Sequence, residues 1–347
     1  MLVDAPTETG AATGAAPFLR RATRPLGLLA SVVILTLVAL ASIAIGAKEL
    51  SPAQVWHGLV HDSGTYADLV VGDRISRTVL GLLAGAALGL SGAVLQALTR
   101  NPLADPGLLG INAGASAAVV TALTSFGVTS LSGYVWFAFL GAAAVGALVW
   151  FLGGGRSGTP ARLALAGAAI SAALYGYLQA VMIMDDAALG TMRFWTVGSL
   201  ASATDATIVQ VLPFLLAGTV LALALARPLN AVAMGDDTAR ALGAHLGRTR
   251  ALSMASATVL CGAATAACGP IGFVGLMVPH AVRSFTGPDL RWILPYAAVL
   301  SPVLLLGADV VGRVVARPAE LQVGIVTAVI GGPAFVLLVR RRRAARL

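Results

Sequence analysis

The sequence has very little charge for its length. Only 11% of its 347 residues are Asp, Glu, Lys or Arg, whereas soluble domains carry about a quarter. A hydrophobic fraction of 58% and a mean hydropathy of +0.88 accompany this shortage. The composition therefore excludes an ordinary soluble domain and indicates that the lipid bilayer is the main solvent of the chain.

Lysine is almost absent, because Lys48 is the only one. A phosphate-binding loop of the Gly-x-x-x-x-Gly-Lys-Ser/Thr type needs a lysine, and this motif does not occur. We therefore expect any ATP to be bound by another polypeptide. The net charge of +8 comes from arginines scattered at the ends of apolar stretches, so the sequence does not favour nucleic acid as a partner.

Cysteine is scarce as well. Cys261 and Cys268 are seven residues apart on one predicted helix, which places them about 10 Å apart, too far for a disulfide. Neither zinc-binding nor redox spacing is present, so we expect no metal site. Both cysteines are interpreted as small apolar packing residues.

Long apolar stretches make up most of the sequence. A helical span needs roughly 20 apolar residues, and the pattern predicts an all-α polytopic membrane protein with ten spans between residues 26 and 340. Residues 1–25 form a predicted cytoplasmic tail and residues 341–347 a basic one. The eighth span is short and contains glycines and a proline, which favours burial within protein. The ten segments are 26–46, 78–98, 107–126, 135–152, 161–184, 206–226, 251–268, 272–285, 292–312 and 322–339.

The arginines give the chain an orientation. If both termini are cytoplasmic, 17 of the 23 basic residues fall on inside segments, in agreement with the positive-inside rule. The six on the outside are Lys48, Arg74, Arg77, Arg193, Arg313 and Arg317.

A faint internal repeat relates two parts of the chain. The segment from Arg77 to Ile111 resembles the segment from Arg248 to Leu276. The two copies are five spans apart, so spans 2–5 and 7–10 would have opposite orientations, as inverted repeats do in transporters. Chance similarity among Gly/Ala/Leu-rich helices is the alternative. Glycines at positions 81, 85 and 89 also predict a close helix–helix contact.

Three motifs are more specific than hydropathy. They are Arg74-Ile-Ser-Arg77 continuing to Arg100-Asn-Pro-Leu-Ala-Asp-Pro-Gly-Leu-Leu-Gly110, then Gly269-Pro-Ile-Gly-Phe-Val-Gly-Leu-Met-Val-Pro-His-Ala-Val-Arg283, and Ala308-Asp309 through Arg313 and Glu320 to Pro333. In order and spacing they resemble the FecCD/BtuC-type permease family of ABC importers for iron siderophores, haem and cobalamin. The resemblance extends from about the first span to Arg340.

The resemblance implies a non-enzymatic permease subunit of a type II ABC importer in a bacterial cytoplasmic membrane. Its partners would be a second, identical or paralogous permease, two ATPase subunits inside, a substrate-binding protein outside, and membrane lipid. ATP and Mg would be bound by the ATPases, and this chain would bind no cofactor. A ferric siderophore is the expected cargo, with haem or cobalamin as alternatives.

The inside segment at about residues 230–247 matches the family's coupling helices. Acidic residues followed by apolar residues at helical spacing, with glycines at both ends, predict a compact turn between short helices. The alternative is that this segment is an ordinary solvated connecting loop. The candidate ATPase-coupling residues are Gly235, Asp236, Asp237, Ala239, Arg240, Leu242, Gly243 and Gly247.

On the outside, Arg74, Arg77 and Arg313 match family arginines that pair with carboxylates of the binding protein. Exposed pairs are weak, so several would act together. The alternative is that these arginines serve topology or contact lipid headgroups. Asp309 is the one carboxylate deep in an apolar stretch, and its spacing of four from Arg313 favours a structural pair over a proton relay.

The loop from Arg156 to Arg162 matches the family's cytoplasmic gate, with Thr159, Pro160, Ala161 and Arg162 as candidates. The family often has adjacent hydroxyl residues here, whereas this chain has a single one, so closure by packing is favoured. Span five carries Tyr175, Tyr177, Gln179 and Met182, which would line either the path or an ordinary contact.

Two other classes of protein remain open. An ion-coupled secondary transporter would need several intramembrane titratable residues, and Asp309 is nearly alone. An intramembrane enzyme would need a nucleophile and base or a metal cluster. The four histidines, His57, His61, His245 and His280, fall on different sides of the predicted membrane.

Overall fold

The computed structural model describes residues 16–61, 64–128, 130–155 and 158–344. This part of the chain is built of α-helices joined by short turns and contains no strand. The helices are α1 Ala16–Ala44, α2 Pro52–Val60, α3 Tyr66–Leu98, α4 Ile111–Phe126, α5 Leu131–Leu152, α6 Pro160–Met184, α7 Asp186–Trp195, α8 Asp205–Ala224, α9 Ala226–Ala233, α10 Asp236–Ala241, α11 Leu246–Cys268, α12 Val274–Thr286, α13 Leu290–Val315 and α14 Val323–Ala344, with a 3-10 turn, η1, at Pro106–Leu109 before α4.

Within the described residues, seven helices are long and apolar enough to cross a membrane: α1, α3, α5, α6, α8, α11 and α13. The predicted ten spans therefore exceed what length and hydropathy establish. Of the other three, α4 has 16 residues and α12 has 13, and the part of α14 whose side chains the structure describes, Val323–Val336, is also shorter than a full span. A fold with several membrane-spanning helices follows from the structure, but a count of ten does not.

The most buried spans are α3 and α11, which contact each other and pack against the other central helices. Glycine makes this packing possible. A Cβ on Gly92 would collide with the carbonyl of Gly275 at the start of α12, and one on Gly85 would lie 2.6 Å from the Pro302 Cα on α13. The glycine surface predicted for α3 is thus a close contact with α12 and α13.

Helix α3 begins 12 residues before the predicted second span. Charged residues in its first three turns, including Asp68 and Arg74, interrupt the apolar pattern on which the prediction was based. A capping box starts the helix, because the Thr65 hydroxyl accepts from Asp68 N while Asp68 accepts from Thr65 N.

Two residues close to the starts of α4 and α12 have a positive φ. Gly110 has φ 79° between η1 and α4, and Phe273 has φ 69° immediately before α12. Both positions follow one of the two central helices. Cys261 and Cys268 are buried and not bonded to each other, as their spacing predicted.

Candidate functional site

Polar side chains concentrate toward the two ends of α3, where Arg74 in the third turn and Leu98 at the last residue are about 36 Å apart at 1.5 Å per residue. We call the end with Arg74, Arg77, Arg313 and Glu320 the cluster end. The opposite end, with Arg100, Asp236 and Arg250, is the turn end. The predicted docking residues all lie at the cluster end, and the predicted coupling residues all lie at the turn end.

Asp309 on α13 is the centre of the cluster end. Its carboxylate accepts two hydrogen bonds from Arg77 on α3, with Nη2 2.7 Å from Oδ1 and Nε 3.0 Å from Oδ2. Arg313, one turn along α13, lies 3.0 Å from Oδ2. Glu320 contacts the remaining Arg77 nitrogen at 2.6 Å. The two guanidinium charges are therefore balanced by two carboxylates within the chain.

The pair of Asp309 and Arg313 predicted from their spacing is thus present, and Arg77 joins it. Burial is nearly complete, since Asp309 is 0% exposed, Arg313 1% and Arg77 9%. Charges buried at this depth are stable only when paired and hydrogen-bonded. The cluster therefore fixes α3, α13 and the turn before α14 against one another.

Arg74 has a different set of partners. It donates to the carbonyl oxygens of Ala44 at 2.9 Å and Ile43 at 3.1 Å, and also to that of Lys48. Arg313 donates to the Ser42 carbonyl at 2.9 Å. The last carbonyls of a helix have no partner within it, so these two arginines cap the end of α1.

The three predicted docking arginines are therefore buried, and the premise that they are exposed and lack partners is wrong. Their helix-capping and ion-pair contacts account for their charges inside this chain. They do line one cavity of about 460 Å³ at the cluster end, together with Lys48, Asp73 and Glu320. Docking of another protein by these arginines stays a prediction.

At the turn end, Asp236 holds the connection between α9 and α11. Its carboxylate lies 3.0 Å from Arg100, just after α3, and 2.7 Å from Arg250 on α11. Gly235, with φ 113°, lets the chain reverse before α10, and Gly243, with φ 77°, lets it turn into α11.

A small core closes this turn. Ala239 packs with Val232 and Leu246, all buried. Leu242 is instead 62% exposed, so the apolar face predicted for Ala239, Leu242 and Leu246 is split between core and surface. Asp237 and Arg240 form an exposed pair at 3.0 Å, and Gly247 lies in the first turn of α11 rather than in the connection.

The predicted gate lies at the start of α6. Thr159 accepts a hydrogen bond from Arg162 N at 3.4 Å as the N-cap, and Pro160 is the first helical residue. Arg156 lies outside the described residues. Pro160 and Ala161 line a mostly apolar cavity of about 290 Å³ that also contacts Asp105. Burial raises the pKa of Asp105 to about 6, although a hydrogen bond from Gly107 N opposes this shift.

Several polar contacts were missed from the sequence. Gln96 on α3 donates to the carbonyl of Leu276 at 2.9 Å, and Asn112 on α4 accepts from Thr265 on α11 at 3.0 Å. The sequence did contain a signal for these contacts, namely an isolated amide in an apolar span. A buried amide must find hydrogen-bond partners. The role of Glu320 was missed too, although it stands in the third motif.

The fold and these two polar ends define a polytopic, all-helical membrane protein. The model of the FecCD transport family matches residues 34–341, and the chain belongs to this family.

Similar proteins agree with this assignment. The chain is 45% identical to the ferric enterobactin transport system permease protein FepD of Escherichia coli (strain K12), over 92% of this chain and 96% of the relative. It is 38% identical to the hemin transport system permease protein HmuU of Yersinia pestis, over 90% and 95%. A solved metal-chelate type ABC transporter in an inward-facing conformation has a TM-score of 0.81 at 28% identity, covering 91% of this chain and 99% of that one.

Proposed function

We propose that this chain is the transmembrane permease subunit of a binding-protein-dependent ABC importer for a ferric siderophore. The observation that carries the proposal is the FecCD family match over residues 34–341, supported by relatives matched over nearly their whole length. Ferric enterobactin stands in the name of the relative that is 45% identical. Haem and cobalamin, which stand in the names of relatives at 38% identity, are the alternative cargoes.

The proposal includes ten crossings of a bacterial cytoplasmic membrane. The seven long apolar helices would be completed by α4, α12 and α14, with spans 2–5 and 7–10 as inverted repeats. The excess of arginine at the turn end supports a cytoplasmic position for that end and for both termini.

Coupling to ATP hydrolysis would act at the turn end. Leu242 and Met234 are exposed beside α10, on a turn held rigidly by Asp236 and its two arginines. A rigid knob with exposed apolar residues can transmit the movement of a docked ATPase to α3 and α11. ATP and Mg would be bound by two such ATPase subunits, with no cofactor on this chain.

A substrate-binding protein would dock at the cluster end. The cavity lined by Arg74, Arg77 and Arg313 could admit a carboxylate from outside, while Lys48 and Arg193 are exposed on the same side. Opposite charges across such a surface steer association and are weakened by salt.

A second permease subunit, identical or paralogous, would cover α6. This span is one of the two least buried in the chain, and Leu165, Tyr175, Ile183 and Met184 are all exposed along it. The transport path would follow this interface, and the packing of Pro160 and Ala161 at the start of α6 would close it on the cytoplasmic side.

Transport would then be alternating access. Docked binding protein and ATP-bound or ATP-free ATPase would stabilise different arrangements of the spans, which shifts the population between outward-open and inward-open forms. The chain would move cargo without changing any covalent bond.

The proposal is tested by reconstitution of the chain with its ATPase and binding protein in proteoliposomes. We expect uptake of ferric enterobactin that needs ATP and stops with a hydrolysis-deficient ATPase. Uptake of only haem or cobalamin would correct the cargo. Uptake driven by an ion gradient, with no ATPase present, would replace the importer with a secondary transporter.

A further inference from the structure

A second cavity lies at the turn end, between the end of α8 and the start of α11. Its volume is about 430 Å³. Leu225, Leu242 and Leu252 form apolar parts of its wall, and Arg227, Arg248, His245 and Thr249 supply its polar groups. No Asp or Glu occurs in this lining. The site is thus basic at one side and apolar at the other.

An exposed apolar stripe on α8 ends beside this cavity. Its last residue, Leu223, lines a neighbouring cavity with Leu294 of α13, and Arg227 lines both cavities. Val209, Leu216, Val220 and Leu223 are exposed, and their spacing of seven, four and three places them on one face of the helix. Arg227 follows four residues later. Arg227 lies in the first turn of α9 and lines the cavity itself.

The facing helix has the same arrangement. Arg248 and Ala255 are exposed on α11 and Leu252 is partly exposed between them, again at helical spacing. Arg227 lines both cavities, so the apolar stripe of α8 and the basic end of α11 meet at this residue. Together they form a groove that is apolar along α8 and ends in two arginines.

These two arginines differ from four others at the turn end. Arg100, Arg240, Arg250 and Arg291 each form an ion pair with an aspartate. Within the described residues, neither Arg227 nor Arg248 has such a pair. Both residues are exposed, so their guanidinium groups are available to an anion from outside the chain.

We propose that this groove binds an acidic phospholipid, with its phosphate between Arg227 and Arg248 and an acyl chain along Leu223 and Val220. Basic pockets between spans on the cytoplasmic side suit anionic headgroups, and guanidinium groups bind phosphate through paired hydrogen bonds. The apolar stripe favours a lipid over free phosphate. Lipid binding needs only a membrane, so it is tested without the ATPase, whose proposed contact Leu242 lines the same cavity.

Native mass spectrometry of the purified chain, released from nanodiscs of mixed lipid, tests the site. We expect retention of phosphatidylglycerol over phosphatidylcholine. In the Arg227→Gln/Arg248→Gln double variant this retention should fall roughly tenfold or more, because each basic residue near the surface contributes to anionic-lipid binding. The Arg227→Lys/Arg248→Lys variant keeps both charges and should retain most of the lipid.

Arg24→Gln is the matched control. It removes one positive charge at the same end of the bundle, on α1 and outside the cavity, and should leave retention unchanged. Equal retention of both lipids, or an unchanged double variant, would overturn the proposal. So would displacement of the lipid by excess inorganic phosphate, or by the co-expressed ATPase, because the groove would then be a phosphate site or a protein contact.

Discussion

At the residue scale, the buried carboxylate of Asp309 holds the cluster end together. It faces two guanidinium groups, and Glu320 adds a partner for only one of them. Placing two positive charges in a buried site costs several kcal/mol per ion unless a negative charge balances them. Asp309 therefore stabilises the fold mainly because it balances the buried guanidinium charges of Arg77 and Arg313.

Replacing Asp309 with Asn tests this reasoning. The substitution keeps the shape and removes the charge, so Arg77 and Arg313 lose their shared partner. We expect a destabilisation of about 3–5 kcal/mol, the range for breaking a buried ion pair, seen as a lower midpoint of thermal unfolding in detergent.

Asp237→Asn is the control, because the ion pair of Asp237 with Arg240 is exposed and contributes little. If Asp309→Asn and the Asp237→Asn control have the same midpoint of thermal unfolding, the cluster does not stabilise the fold.

The sequence predicted part of this cluster and missed the rest for a physical reason. Spacing along one helix pairs Asp309 with Arg313, because residues four apart are neighbours on any helix. The contact of Asp309 with Arg77 joins residues 232 positions apart and depends on how α3 packs on α13. The burial of Arg74 could not be predicted from the sequence either, because it depends on where α1 ends.

At the element scale, hydropathy located the ends of most spans to within a few residues. The end of α3, the start of α6 and the end of α11 agree with the predicted limits. The short helices α2 and α7 were not predicted, because each lies in a segment without a long apolar run. The connection through α10 was predicted as a compact turn. This prediction was possible because the glycines at 235 and 243 mark the two ends of the turn in the sequence.

The exposed face of that turn gives the next prediction. Leu242→Asp should abolish co-purification of the ATPase, because it introduces a charge where an apolar contact is proposed. Leu69→Asp is a matched control, since Leu69 is 63% exposed on α3 at the cluster end and the new charge is the same. Both variants should fold, because neither position is buried. Loss of the ATPase with Leu69→Asp, or its retention with Leu242→Asp, would contradict the assignment of the turn.

At the scale of the whole molecule, the two ends of α3 should lie on opposite sides of the membrane. The segment from Arg74 to Leu98 is about 36 Å long, which exceeds the hydrocarbon core of about 30 Å, so the cluster end and the turn end both reach water. The orientation rests on the arginine asymmetry, which is a statistical consequence of membrane insertion rather than a contact in the fold. It therefore needs a measurement of its own.

Single cysteines provide that measurement. Cys261 and Cys268 are buried, so they should not react with a maleimide and need not be removed. We expect Thr238→Cys, on α10, to react with a membrane-impermeant maleimide only after the membrane is opened. Ala319→Cys, exposed near Glu320, should react in intact spheroplasts. The reverse pattern would place the coupling turn outside, where no ATPase could reach it, and would leave the importer proposal without its source of energy.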